Sequence, residues 1–318
     1  MQCLVLAYAG AEFQEDILTL TTARHVESGD LPWKVSLPAP RTQTTAFRRW
    51  FGASKVVDPD GRPLIVYHGT PTHGRESNNR YVRLEQADVE YPQFEVFDTH
   101  VGGITDSGWL GRGSYFTEDP DYAFEFGNFI LPVYLRITRP FVVHDDCSSS
   151  TANQFRFLKS LQHLEGLPEE FRLDLSLPAA RHWTDWRGEN CSYYYHLSEV
   201  LFEDGKREWA LISSSDEHRP CGVIDGRGTT PEEAIFRFRY RDRFWGFLSH
   251  TVRELGVEVF TELLMRNGHD GVIEYREPYS WETPGLRIRE AVVFAPTQIK
   301  SSLGNGGEFD PNDPSILR

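Results

Sequence analysis

The sequence predicts an α+β fold. Three observations lead there. Short apolar runs that read as buried strands, LIVYHGT (64–70) and LPVYLRI (131–137), stand in the first half, and HDGVIEY (269–275) and REAVVF (289–294) stand near the end. Stretches with helical spacing of apolar residues separate them, above all WGFLSHTVRELGVEVFTELLMRNG (245–268), which closes on a glycine. Glycine- and proline-rich turns punctuate the chain between these elements.

Taken in order, CLVLAY (3–8) reads as a strand and 12–26 as a helix, followed by the proline-rich connector LPWKVSLPAPRTQ (31–43). TTAFRRWFG is a short helix with Thr44 or Thr45 as its cap. DPDGRP is a turn on its Asp-Gly pair, and LIVYHGT is the first core strand. Residues 71–93 are polar and irregular. GRGSYFTEDPDYAFEFG (111–127) passes from a glycine-rich loop into a helix starting near Asp119 and Pro120. LPVYLRI alternates as a strand does, and Pro140 ends it. Residues 145–240 differ in texture, with serine-rich turns, clustered aromatics and CSYYYHLSEVLFEDG (191–205) reading as helical. They form an insertion on the core. HDGVIEY and REAVVF are the last strands, closed by PTQIKSS.

Composition narrows the function. A formal net charge of -14 works against loose binding to nucleic acid or anionic membrane. A local exception is FRFRYRDRF, where Arg237, Arg239, Arg241 and Arg243 alternate, as a basic groove or as a solvated face. Cys3, Cys147, Cys191 and Cys221 form no CxxC pair and have no histidine at zinc-ligand spacing, so no metal site is expected and the thiols read as reduced. No apolar run approaches the length of a membrane span, and no basic flank precedes the short apolar N-terminal stretch, so the expected location is cytoplasmic.

Four stretches carry chemistry: VYHGT, GRGSYFT with YAFEFG, DGVIEY, and REAVVFAPTQIKS. Together they resemble the His-Tyr-Glu branch of the ADP-ribosyltransferase superfamily, shared by diphtheria-like toxins and poly-ADP-ribose polymerases, and in particular its bacterial and phage-borne domains. Those domains open on WFGxSKVVDxxGxPLxVYHGT and close on VVFxPxQIKSxxGNxGxFDxxxPxI. Here the same stretches read WFGASKVVDPDGRPLIVYHGT (50–70) and VVFAPTQIKSSLGNGGEFDPNDPSIL (292–317). The resemblance covers about 45–141 and 247–318.

The resemblance implies a split β-sandwich core flanked by helices (44–144 and 245–318), an N-terminal extension (1–43) and a large, mostly helical insertion (145–244). It also implies NAD as co-substrate. His68, Tyr115 and Glu290 would be catalytic, with His68 donating to the adenosine-side ribose. Gly69 would meet the nicotinamide amide through its backbone, Thr70 would line the same wall, and Gly113 and Ser114 would lead the chain close to the ligand. Tyr115 would stack on the nicotinamide by its ring face. Phe126, eleven positions on, stands where the polymerases carry a second stacking tyrosine. Glu290 would stabilise positive charge developing on the sugar, with Glu274 and Glu277 as rivals.

Each residue also has a plain structural reading. His68 alone is a strand-end histidine bonded to a core carbonyl, Phe126 a packing ring, and Glu290 a charged strand end. Ile288 stands where the arginine-directed branch carries Glu or Gln, so that chemistry is not expected. The activity implied is ADP-ribosyl transfer to RNA, DNA or protein, by a toxin of a toxin–antitoxin pair or an anti-phage enzyme with an antitoxin or inhibitor as partner. The alternatives are an NAD glycohydrolase and a degenerate NAD-binding interaction module. The insertion is the expected place for acceptor or inhibitor recognition.

Overall fold

Short apolar runs make the core strands of the computed structural model, which describes residues 41–70, 95–97, 108–127, 129–144, 151–240, 243, 248–276 and 285–318. The expected strand at 3–8 and helix at 12–26 lie outside these residues, as do Cys3, Cys147, Arg241 and Glu277. Residues Thr45–Arg318 form one compact unit. Of the preceding unit, Met1–Thr44, the described part is a short 3-10 turn at Arg41–Gln43.

Two sheets make the core. The first joins β1 (Val66–Thr70), β3 (Phe129–Leu135) and β11 (Ile299–Ser301) in the order β1-β3-β11, all antiparallel. The second joins β2 (Ser114–Phe116), β10 (Arg287–Val293), β9 (Gly271–Arg276) and β4 (Pro140–His144) in the order β2-β10-β9-β4. Its β4–β9 pair is parallel and the rest antiparallel. Val66, Val133, Leu135 and Ile299 from the first sheet meet Phe116, Ile273, Ile288, Ala291 and Val293 from the second in one buried cluster. That cluster is the hydrophobic layer that holds the sheets together.

Helices cover the outer faces. Helix α1 (Thr45–Phe51) lays Phe47, Trp50 and Phe51 against Tyr134 and Phe309. Phe47 meets Tyr134 and Phe309 edge-to-face at 5.0 Å each. A short helix, α2 (Pro120–Phe124), starts at an Asp119 N-cap with Pro120 in its first turn, as the sequence predicts. The outer face of the second sheet offers Phe141, Val143, Val272 and Val292. Helices α3 (Thr151–Leu161), α4 (Pro231–Arg239), α5 (Leu248–Leu255) and α6 (Val257–Arg266) contribute Phe155, Leu158, Phe236, Val252, Phe260 and Leu264 to the same cluster. No helix among the described residues is long and apolar enough to cross a membrane.

The segment expected to be a mostly helical insertion is corrected by the structure. It carries a four-stranded antiparallel sheet, β5 (Arg181–Thr184), β6 (Asn190–Leu201), β7 (Arg207–Ser214) and β8 (Val223–Gly228), between α3 and α4. CSYYYHLSEVLFEDG is strand β6 and its turn, not a helix. Consecutive tyrosines and a valine suit a pleated surface. The turn from β6 to β7 is the Asp204-Gly205 pair, with Gly205 at φ +79.

The closing stretch QIKSSLGNGGEFDPNDPSIL is a clamp. The Gln298 side chain donates to the carbonyls of Arg136 (2.9 Å) and Asp270 (2.7 Å) and accepts from the amides of Phe294 (3.1 Å) and Ala295 (2.9 Å). It thereby ties the ends of β3, β9 and β10. Lys300 is fully buried, and its Nζ donates to the carbonyls of Asp313 (2.8 Å) and Ser315 (2.7 Å). Burial lowers the Lys300 pKa, partly offset by Asp313 and Asp310. Replacing Lys300 by Met leaves two part-buried carbonyls without their donor, at a cost of up to about 1–3 kcal/mol each before relaxation. Urea unfolding of Lys300→Met should therefore show a lower midpoint, with a loss of about 2 kcal/mol at unchanged slope. Wild-type stability in that variant would mean that desolvation of the ammonium cancels the clamp.

Candidate functional site

An irregularity in β10 sets the site. The β9–β10 register shifts between Ile288 and Glu290. In a regular strand these two side chains would share a face. Here Ile288, Ala291 and Val293 all enter the layer between the sheets, while Val292 joins the helix-covered face. The bulge at Arg289 thus turns Glu290 onto the face of Val292. There it is 5% exposed.

Directly across the ladder stands Glu274 of β9, fully buried. Opposed residues have Cβ atoms roughly 5 Å apart, so two carboxylates at that spacing repel by about 3 kcal/mol at an effective dielectric near 20. The Arg289 guanidinium, 3.2 Å from Glu274 Oε1, offsets that repulsion. It also lies over the Trp109 ring, 5.6 Å from its centre. Tyr122 of α2 donates its hydroxyl to Glu290 Oε1 at 2.8 Å. Burial and, next, the charge of Glu290 hold the Tyr122 pKa far above its ordinary value, so it remains a donor. Buried paired carboxylates are costly to keep for packing alone, and such groups gather at functional sites.

The remaining predicted residues lie on β1, β2 and next to α2. Tyr115 of β2 lies opposite Val292, two residues along from Glu290 and on the same face. Its hydroxyl donates to the Gly111 carbonyl and accepts from the Leu110 amide at 3.0 Å. The hydroxyl thus fastens the glycine loop to β2. Gly113 and Ser114 lead into β2, with Ser114 buried opposite Val293.

His68 of β1 bonds the Tyr115 carbonyl through Nδ1 at 2.8 Å, and its ring rests on Phe97 and Phe116 at 5.0 and 5.4 Å. Burial lowers its pKa, partly offset by the Tyr115 carbonyl. A neutral ring that donates from Nδ1 has Nε2 as an acceptor. With Nδ1 donating to the Tyr115 carbonyl, the ring offers Nε2 as an acceptor, where the sequence reading expects a donor.

Gly69 is a glycine because α2 crosses it: an added Cβ would lie 1.8 Å from the Ala123 carbonyl oxygen. Tyr67 pairs with Thr117 on the side of β1 away from β3. Backbone groups alternate sides along a strand, so the N–H and C=O of Gly69 also point away from β3. Thr70 ends β1. Phe126, just past α2, is 47% exposed and meets Tyr122 edge-to-face at 5.2 Å.

Glu290, Tyr115, His68 and Gly69 therefore gather where β1 and β2, the edge strands of the two sheets, adjoin. Tyr122 and Arg289 were not expected from sequence. The spacing of Tyr122 and Phe126, four apart, was the available signal for one aromatic face. Of the arginine stripe, the described residues Arg237 and Arg239 do not line a common groove. Helix α4 sends alternate residues about 200° apart around its axis, Arg237 pairs with Glu233 at 2.7 Å and Arg239 with Asp174 at 2.8 Å. A cavity of about 500 Å³ lies elsewhere, beyond the C-terminal end of β10. No family model, curated protein or solved structure matches the chain.

The histidine gives a pH test. The folded state holds His68 neutral, while the unfolded chain binds a proton below about pH 6.5. The folded state binds fewer protons in that window, so stability falls as pH drops below about 6.5 toward the lowered folded value. Urea unfolding at pH 7.5 and pH 5 should show the wild type losing stability relative to His68→Gln. Parallel losses in both proteins would contradict the neutral buried ring.

Proposed function

We propose that this chain is an NAD-dependent ADP-ribosyltransferase of the His-Tyr-Glu type, with the two core sheets as its split β-sandwich. The observation that carries the reading is Glu290, turned by a bulge into a buried position, bonded by Tyr122 and set on the same face as Tyr115, whose carbonyl His68 bonds. NAD fits the donor set. The Gly69 backbone offers one N–H and one C=O on the same edge, the complement of a primary carboxamide. Tyr115 offers a ring, and His68 Nε2 accepts a ribose hydroxyl. NAD would supply a sugar carbon with nicotinamide as its leaving group.

Each residue then has a role of its own. Gly69 fixes the carboxamide and so the direction in which nicotinamide departs. Tyr115, fastened by its hydroxyl to the glycine loop, keeps the ring plane constant and excludes water from one side. Glu290 places negative charge where positive charge grows on the sugar, and a buried carboxylate does this more strongly than a solvated one. Tyr122 is a positioning residue: it holds Oε1 of Glu290 in place. The acceptor is RNA, DNA or protein, and the sheet β5–β8 with α3 and α4 is the part we assign to its recognition or to an inhibitor. A toxin or anti-phage role accords with such an enzyme.

Glu290→Gln keeps the shape of the side chain and its bond from Tyr122 while removing the charge. Nicotinamide release from NAD should fall by about a hundredfold or more, roughly 3 kcal/mol, with NAD affinity by calorimetry nearly unchanged. Full activity in Glu290→Gln would refute the assignment, and Glu274→Gln would then be the next variant to measure.

A further inference from the structure

We infer that the cavity beyond the C-terminal end of β10 is a binding site for a phosphate-bearing ligand, separate from the Glu290 site. The cavity is open to solvent, has a volume of about 500 Å³ and is lined by Arg49 of α1 and by Arg136 and Arg139 from the segment after β3. That volume lies within the range of small-ligand pockets. Glu290 sits four residues before Phe294 of the lining, about 13 Å along an extended strand.

The electrostatics of the cavity oppose those of the chain. The protein carries a net charge of -14, yet three arginines line this space against one aspartate, Asp270. Asp270 is already engaged. Its Oδ2 accepts from the Thr138 amide (2.8 Å) and hydroxyl (2.6 Å), and its Oδ1 from the Arg139 amide (2.8 Å). Among the described residues, none of the three guanidinium groups enters an ion pair.

The rest of the lining suits the same ligand. Trp50 donates its indole N–H to the Thr297 carbonyl at 3.1 Å, so it presents no polar edge to the cavity. Gln298, also in the wall, spends its amide on Arg136, Asp270, Phe294 and Ala295. What remains to bind a ligand is cationic, and guanidinium forks match phosphate oxygens two at a time. The phosphate can come from a small molecule or from a nucleic-acid backbone.

Calorimetry with inorganic pyrophosphate, at ionic strength held constant with chloride, tests the site. The wild type should bind saturably at one site, and Arg49→Gln/Arg139→Gln should bind at least tenfold more weakly. Both arginines are solvent-exposed, so folding should survive, and Arg139→Gln alone gives the same comparison with a smaller loss. Glu290→Gln should bind pyrophosphate as the wild type does, which separates this site from the proposed catalytic one. A short single-stranded RNA that binds and is displaced by pyrophosphate would identify the source as nucleic acid. RNA that does not bind, beside pyrophosphate that does, would identify a small phosphate compound. Absence of saturable pyrophosphate binding, equal binding in the double variant, or RNA binding that pyrophosphate leaves untouched would overturn the proposal.

Discussion

Two carboxylates buried side by side, Glu274 on β9 and Glu290 on β10, are the constraint around which the core is arranged. Their mutual repulsion has to be met locally, because burial removes the screening of water. Arg289 meets it from within the bulge that also aims Glu290, and Trp109 covers the guanidinium. Tyr122 meets it from α2. One irregularity in one strand therefore supplies the carboxylate, its orientation and its counter-charge.

That arrangement reaches into the fold through short links. Tyr122 can reach Glu290 because α2 lies against β1, and α2 lies there because Gly69 has no side chain to hold it off. The loop at 108–113 stays close to β2 through the Tyr115 hydroxyl. At the opposite end, Gln298 and Lys300 clamp the strand ends and the C-terminal tail. The sheets are thus braced at one end by a polar clamp and adjoin at the other through Tyr67 and Thr117, beside the candidate site. Rigidity at the clamp is what lets the edge strands hold side chains at fixed positions.

The strands with short apolar runs were legible in the sequence because burial imposes a simple pattern: VYHGT, LPVYLRI, GVIEY and REAVVF all pair as strands. The helix start at Asp119 and Pro120 was legible from capping chemistry. The insertion was misread because CSYYYHLSEVLFEDG has helical spacing of some apolar residues, while its tyrosines and its Asp204-Gly205 turn belong to a hairpin. His68, Tyr115 and Glu290 came from motif order, and the structure places them together. Their detailed states were not legible. The His68 tautomer, the Tyr115 hydroxyl bonds and the Glu290 facing depend on cross-strand register and on a bulge, which are properties of paired strands and not of one segment. Tyr122 and Arg289 escaped for the same reason, since each acts across 168 and 15 residues of chain respectively.

A double-mutant cycle on nicotinamide release tests the central claim, that Tyr122 acts through Glu290. The four proteins are the wild type, Tyr122→Phe, Glu290→Gln and the pair. Tyr122→Phe should slow release at least about tenfold when Glu290 is present, the scale of one charge-assisted hydrogen bond of about 1.5–3 kcal/mol. In the Glu290→Gln background the same change should have almost no further effect. An equal slowing in both backgrounds would contradict the coupling, and release at the wild-type rate in all four would contradict the site itself.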